Sequence, residues 1–286
     1  MLNTIRENIE RRLGIAPKLH VKDTGIIENL GDWSGRYSHW KGNDKLSKYN
    51  FVKNVYSPFA PAKRALPLTN LALISSAGAY IDGTEPFDIT ARDGDINFRE
   101  IPIEVESEDL RFAARGYDTT AVLQDLNVQI PVQRLLEYEA NGVIGKLNNV
   151  WWSFNGFIPN AALVAEKLAP QIVERVLRYE AQAALLIPAS NLCHQTMSLV
   201  ARAIEAAGIP TMMLAVDKAI PEMVRPPRAA YYSGEFGSVA GKPNWKQYQL
   251  RVLDESLRWI ETLDQPALRK LVVDLETEVE QERGER

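Results

Sequence analysis

The chain has 286 residues, 45% apolar and 24% charged, with a formal net charge of −4. That length supports one large or two modest α/β units with real cores, and the slightly acidic balance argues against a nucleic-acid or anionic-membrane surface. No apolar run reaches membrane-spanning length, and the charged start MLNTIRENIERRLGI lacks the apolar stretch of a secretory signal, so a soluble cytoplasmic protein is expected.

Residues 2–13 read as a short amphipathic helix ending at Gly14. From 20 to 67 periodicity is weak, but aromatics and turn formers abound: Trp33, Tyr37, Trp40, Tyr49, Phe51, Tyr56 and Phe59, with Pro58, Pro61 and Pro67. Such an irregular arm is expected to pack across a domain surface or cover a cleft, because disordered segments are poor in aromatics. Leu71 to Ile81 begins as a buried strand and enters a small-residue loop. Residues 82–110 form a polar connection, and Arg111 to Asp118 reads as a further strand. Pro131 opens a helix that Gly142 stops.

The second half is more regular. Asn160 caps a helix running to Glu180, kinked at Pro170. Ala183 to Pro188 is a buried strand. Residues 190–207 pass through a polar turn into a helix with Leu199, Val200, Ala203, Ile204 and Ala207 on one face, and Ile209 to Val216 is the next strand. That strand–helix–strand unit argues for a parallel sheet with right-handed crossovers. Arg228 to Ser233 is one more strand, and Trp245–Thr262 and Pro266–Arg283 read as helices. The expected fold is α/β, with parallel-sheet Rossmann-like layers in two similar lobes: an arm over 1–66, lobes at 67–158 and 159–286, and C-terminal helices.

Cys193 is the only cysteine, so no intrachain disulfide forms and any redox turnover needs an external thiol, a partner subunit or a cofactor. It lies in Ser190-Asn191-Leu192-Cys193-His194-Gln195-Thr196, the kind of βα turn where ligands gather in open parallel sheets. There the helix end and the imidazole of His194 would favour thiolate, and Gln195 and Thr196 would bond a polar group. The plainer alternative is a small buried hydrophobe. No metal is expected, since His20, His39 and His194 have no paired ligand spacing, and no cofactor is called for.

Several segments in one order carry a resemblance. They are PLTNLALISSAGAYIDGTEPFD (67–88), GDINFREIP (94–102), YDTTAVLQDLNVQIPVQRLLEYEANGVIG (117–145), SFNGFIP (153–159), NLCHQTMSLVARAIEAAGIPT (191–211) and RPPRAAYYSGEFGSVAGKP (225–243). Together they resemble the selenoprotein B component of glycine, sarcosine and betaine reductases and its proline-reductase relatives. The resemblance implies reductive carbon–nitrogen cleavage in an amino acid or amine, by a selenocysteine or cysteine whose adduct a cysteine three residues later resolves. Cys193 matches the resolving position, and Ser190 stands at the first. Gly116 stands where the family has a histidine before its Tyr-Asp. It also implies work in a multi-subunit assembly.

Other residues have two readings each. Asp118, Asp125 and Asn127 would orient or deprotonate a substrate amine, or else shape the loop before Pro131. Arg99 would clamp a carboxylate, or pair with Asp95 or Glu100. Gly78 offers close backbone approach and an anion-binding amide. Gly234, Gly237 and Gly241 suit a lid or an interface. The aromatic arm would cover the cleft or cradle a cation, or simply pack.

Two functions follow. In one, Cys193 is the single thiol of a divergent reductase acting on a small amine or amino acid, with an external thiol or reductase partner, as a homo-oligomer or in a complex, by redox or other carbon–nitrogen chemistry. In the other, the chain is a ligand-binding or structural subunit that kept the fold and lost the redox pair.

Overall fold

The computed structural model describes residues 25–43 and 45–273. The helix expected at 2–13, His20 and the end of the expected Pro266–Arg283 helix lie outside the described residues. In chain order the elements are α1 (Leu30–Ser38), β1 (Asn70–Ser75), β2 (Ala79–Ile81), β3 (Arg99–Pro102), β4 (Leu110–Phe112), α2 (Thr120–Gln124), α3 (Val132–Ala140), β5 (Lys146–Leu147) and β6 (Val150–Ser153). There follow α4 (Ala161–Leu163), α5 (Ala169–Arg178), β7 (Ala183–Ile187), α6 (Asn191–Ala206), β8 (Thr211–Ala215), α7 (Ala219–Val224), β9 (Arg228–Tyr231), α8 (Lys246–Thr262) and β10 (Ala267–Lys270).

The protein is α/β, built on an eight-stranded sheet in the order β10-β9-β8-β7-β1-β6-β3, with β5 also paired to β1. Every pairing in this sheet is parallel except that of β3 with β6. β7 and β8 are buried at every position and β1 at all but its first, as expected of parallel strands covered on both faces. Alternate residues therefore enter two cores. Ala72, Ile74, Ala184 and Leu186 face α5, α6 and the aromatic arm, while Leu71, Leu73, Leu185 and Ile187 face α3 and α8. Strands from both 67–158 and 159–286 share this one sheet, because β7 is hydrogen-bonded along the whole of β1 from Leu71 to Ser75.

Several elements differ from the sequence reading. Residues 267–270 form β10, in register with Arg228–Tyr231 of β9, where the pattern suggested helix; strand pairing overrides the propensity of Ala-Leu-Arg-Lys. β4 ends at Phe112, and Tyr117-Asp118 lies in the turn before α2. The helix after Asn160 carries a π turn at Val164–Leu168 immediately before Pro170, which resolves the clash expected of that proline. The polar turn after β7 is shorter than expected: Ser190 caps and α6 begins at Asn191.

The arm wraps α6. This helix is buried from Leu192 to Glu205, and its polar side chains Gln195, Arg202 and Glu205 bond the arm. Gln195 accepts from the Val52 amide and donates to Tyr49. Arg202 donates to the carbonyls of Ile26 and Arg225, at 3.0 and 2.9 Å, and to those of Gly25 and Tyr56. Glu205 accepts from the Ala60 amide. Trp33, Trp40 and Tyr49 join the core on that face, so these aromatics of the arm pack, whereas Tyr56 is exposed. No helix among the described residues is long and apolar enough to cross a membrane.

Candidate functional site

β1 and β7 are neighbours whose outgoing connections leave in opposite directions. From β1 the chain passes α3 on one face to reach β6; from β7 it passes α6 on the other face to reach β8. The crevice outside the carboxyl ends of such a strand pair is where open α/β sheets hold ligands. Two segments end there: Ser76-Ala77-Gly78 after β1, and Ala189-Ser190 after β7. Ser76 knits them together, donating its amide to the Ile187 carbonyl and accepting the Ala189 amide at its hydroxyl.

Cys193 lies in the first turn of α6. Its amide donates to Ser190 Oγ at 3.3 Å, and the Ser190 hydroxyl donates to Cys193 Sγ at 3.0 Å. The sulfur in turn points to the Ser76 carbonyl at 3.8 Å. Cys193 is 1% exposed and packs with Ala77 and Ala189 under Phe112 and Tyr117. The Tyr117 hydroxyl donates to the Ala77 carbonyl at 2.6 Å. Burial, and then the nearby sulfur, push that phenol up, so it stays a donor.

Glycines give this cluster its shape. A Cβ on Gly156 would stand 2.8 Å from Cys193 Sγ and 2.5 Å from Ser76 Cβ, so only glycine lets 153–157 close over the thiol. Gly116 has φ +83, and a Cβ there would meet the Phe157 ring at 2.5 Å and Ser190 Oγ at 3.3 Å. The position where the resemblance expects histidine thus has a left-handed backbone and no room for a side chain in this arrangement.

His194 is not beside the thiol in any working sense. It is fully buried; Nδ1–H donates to the Ser190 carbonyl at 2.7 Å and Nε2 accepts the Val216 amide at 3.2 Å. The acceptor role at Nε2 fixes the neutral Nδ1–H tautomer. Burial lowers its pKa to about 4, against the smaller upward pulls of the Ser190 carbonyl and Asp217. Both nitrogens are occupied, so the imidazole orients the turn and gives the sulfur no positive charge.

The remaining expected site residues are distributed as follows. Gln195 serves the arm, and Thr196 donates to the Gly156 carbonyl at 2.9 Å, tying α6 to the segment over the thiol. Gly78, at φ +69, lets β1 approach the Ala113 carbonyl and accepts the Ala113 amide. Arg99 donates to the Glu85 and Phe98 carbonyls and lies 4.6 Å over the Phe87 ring, so it holds the 82–98 loop rather than pairing with Asp95 or Glu100. Asp118 is exposed, and hydrogen bonds from Thr120 hold its carboxyl below the usual range. For Asp125, burial pushes the carboxyl up, but bonds from Gln249, Asn244 and Asn127 outweigh it and the net shift is downward. Neither carboxyl has the raised pKa of a neutral-pH base. Asn127 donates to Asp125 and to Gln133.

The 233–241 loop reaches the cluster from the far side. Gly237 donates to the Ala189 carbonyl at 2.8 Å and lies against Tyr117, and Phe236 meets the His194 ring edge-on at 5.6 Å. Its other face lines a cleft of about 450 Å³ in which Lys242 Nζ sits 5.3 Å from the Trp245 ring and 5.0 Å from the Tyr248 ring. Among the described residues no group of three His, Cys, Asp or Glu side chains is placed to hold a metal.

Sequence reasoning did not single out Ser76, Gly156 and Asn155. Asn155 donates to the Ala113 carbonyl and accepts the Phe157 amide, bracing the cover over the cysteine. Their signal was the pair of small, polar runs Ser-Ser-Ala-Gly and Ser-Phe-Asn-Gly, each directly following an apolar strand.

A family described as glycine/sarcosine/betaine reductase selenoprotein B matches residues 42–189, just over half of the chain. The chain is 29% identical over 227 residues to the D-proline reductase subunit gamma of Acetoanaerobium sticklandii, covering 76% of this chain and 90% of that protein. It is 27% identical over 175 residues to the glycine reductase complex component B subunit gamma of Symbiobacterium thermophilum, covering 60% of this chain but 40% of the relative. A sarcosine reductase complex component B subunit beta of Peptoclostridium acidaminophilum is 28% identical over 153 residues, with 52% and 31% covered. The chain therefore spans less than half the length of the glycine and sarcosine reductase subunits. No solved structure matches it significantly.

Proposed function

The chain belongs to the glycine/sarcosine/betaine reductase selenoprotein B family, and from that membership we propose that it works in a reductase assembly on a small amine or amino acid, with Cys193 as its reacting thiol. The observation that carries the reading is the 3.0 Å contact between Ser190 Oγ and Cys193 Sγ at the β1/β7 switch point. The two chain positions to which the resemblance assigns the chalcogen pair lie against one another where a ligand is expected. Relatives named as subunits or components of reductases support the multi-subunit setting.

The electron count restricts the chemistry. Reductive cleavage replaces a C–N bond by C–H and releases the amine, consuming two electrons and two protons. One cysteine supplies one of the two thiols. An external thiol supplies the other, leaving a mixed disulfide on Cys193 that a further external thiol reduces. Ser190 cannot take the nucleophile's part at neutral pH, because its hydroxyl is held as a donor to the sulfur and its oxygen caps the helix.

A second reading has its own support. The 1% exposure of Cys193 and the doubly bonded, neutral His194 suit a subunit that kept the fold and lost the redox pair. The two are separated by incubating the purified protein with an external dithiol and a panel of D-proline, glycine, sarcosine and simple amines, with products read by mass spectrometry. The thiol reading expects a reductive cleavage product from the wild type and none from Cys193→Ala. Equal product from both proteins would overturn it, and saturable binding without product in either would favour the second reading.

A further inference from the structure

We infer that the cleft between the 233–241 loop and the start of α8 binds a small zwitterion, an α-amino acid with a short apolar side chain, at a place apart from the thiol. The cavity measures about 450 Å³, within the size range of small-molecule sites, and two opposite charges line it, Lys242 and Glu235.

The lysine is prepared for an anion. Its backbone carbonyl accepts from the Trp245 amide at 3.3 Å and from Gln249 Nε2 at 2.9 Å, which fixes the root of the side chain. Its ammonium stands 5.3 Å from the centre of the Trp245 ring and 5.0 Å from that of Tyr248, and both rings line the same cavity. Rings attract a cation through their faces but leave its N–H donors free to meet an oxygen acceptor. Among the described residues no carboxylate pairs with Lys242, Glu235 included, and no cation pairs with Glu235.

Charge narrows the ligand. A plain carboxylate would meet Glu235 and a plain ammonium would meet Lys242, each a repulsion that apolar walls strengthen. A zwitterion presents to each charge its opposite, through charge-assisted hydrogen bonds. Tyr232, Pro243, Trp245 and Tyr248 supply the wall for its alkyl body. The Tyr248 ring lies 5.4 Å from Trp245 and 6.1 Å from Tyr232, so the three rings form one continuous surface.

The loop that closes the cleft is tied down. The Val239 amide donates to Gln129 Oε1, the Ala240 amide to the Val128 carbonyl, and Ser238 Oγ to the Gly241 carbonyl. Gly237 of the same loop donates to the Ala189 carbonyl, so the cysteine cluster and the cleft lie on different sides of it. The inference therefore goes beyond the thiol reading and does not rest on the reactivity of Cys193.

The test is a titration of the purified protein with DL-norvaline at pH 7 and constant ionic strength, followed by ligand-observed nuclear magnetic resonance. Sodium pentanoate, which lacks the ammonium, and n-butylammonium chloride, which lacks the carboxylate, are the controls. Saturable binding of norvaline is expected, with both controls weaker by about tenfold or more. Lys242→Gln and Glu235→Gln are exposed substitutions that should leave the thermal midpoint unchanged and each weaken norvaline binding about tenfold. Cys193→Ala should bind as the wild type does, which separates this site from the thiol reading. The proposal is overturned by absent binding, by either control binding as tightly as norvaline, by undiminished binding in either charge variant, or by loss in Cys193→Ala.

Discussion

The guanidinium of Arg228 meets the carboxylate of Glu205 at 2.5 Å, with neither side chain exposed to solvent. The pair binds three elements and the arm at once. Glu205 also accepts from the Thr211 amide and hydroxyl and the Ala60 amide, and Arg228 donates to the Ala60 carbonyl while lying 3.9 Å over the Phe59 ring. Removing one partner leaves a buried charge with nothing to balance it. Glu205→Gln is therefore expected to destabilise the protein by about 3–5 kcal/mol in denaturant titration. Glu205→Leu combined with Arg228→Met should recover part of that loss, since an apolar pair removes both desolvation penalties. A double variant no more stable than Glu205→Gln would place the energy in the bonds to the arm instead.

His194 makes stability depend on pH. Its folded-state pKa, about 4, lies below the ordinary 6.5, so the unfolded chain binds the proton more tightly. The contribution is fully present above 6.5 and is lost as pH falls from 6.5 towards 4. The difference amounts to about 3 kcal/mol. His194→Gln cannot take up a proton, so its unfolding free energy should fall less steeply across that window than the wild type's. Parallel curves for the two proteins would show that His194 is not the group responsible.

The cover over the thiol depends on the missing side chain at 156. A methyl group there would stand 2.5 Å from Ser76 Cβ and 2.8 Å from Cys193 Sγ, both parts of a tightly packed cluster. Gly156→Ala is expected to destabilise by about 1–3 kcal/mol through overpacking and to speed alkylation of Cys193 as the cover lifts. Gly31→Ala in α1 is the control. No atom lies within 4 Å of a Cβ there, so helix propensity should make it neutral or stabilising by about 0.5–1 kcal/mol. Equal thermal midpoints for Gly156→Ala and the wild type would contradict the packing described.

What the sequence carried is clearest around β7, α6 and β8. Ala183–Ile187 and residues 212–215 are unbroken apolar runs with proline or glycine close by, and a buried parallel strand is the structure such a run supports. The Cys193 turn was legible for the same reason, as the loop at the carboxyl end of such a strand. The partners of the cysteine were not. Ser76 and Gly156 come from segments more than 30 residues upstream of it, and which of them touches the sulfur is decided by strand order. The place of the His194 imidazole is not legible in the sequence because adjacency along a helix is not adjacency in space: residues 193 and 194 project about 100° apart. β10 is hidden from the sequence because Ala-Leu-Arg-Lys is helical by propensity, while its partner strand Arg228–Tyr231 is nearly 40 residues away and invisible to local pattern.

The last prediction concerns the turn itself. Ser190 caps α6 and Cys193 is its third residue, so their side chains rise from the same end of the helix, with Oγ and Sγ 3.0 Å apart. A disulfide needs its sulfurs at about 2.0 Å and Cβ atoms near 4 Å, a geometry within a small torsional change of this one. Ser190→Cys should therefore form an intramolecular bridge with Cys193 under a mild small-molecule oxidant. The readout is loss of both free thiols and of two hydrogen atoms in the intact mass, reversed by dithiothreitol. Because sulfur is a weaker acceptor than oxygen, the reduced variant should also lose about 1 kcal/mol of capping energy, which oxidation restores in part. If both thiols stay free in the folded, oxidised protein and react only after unfolding, the two side chains do not share the end of the helix as described. The chalcogen positions carried over from the family would then be misplaced in this chain.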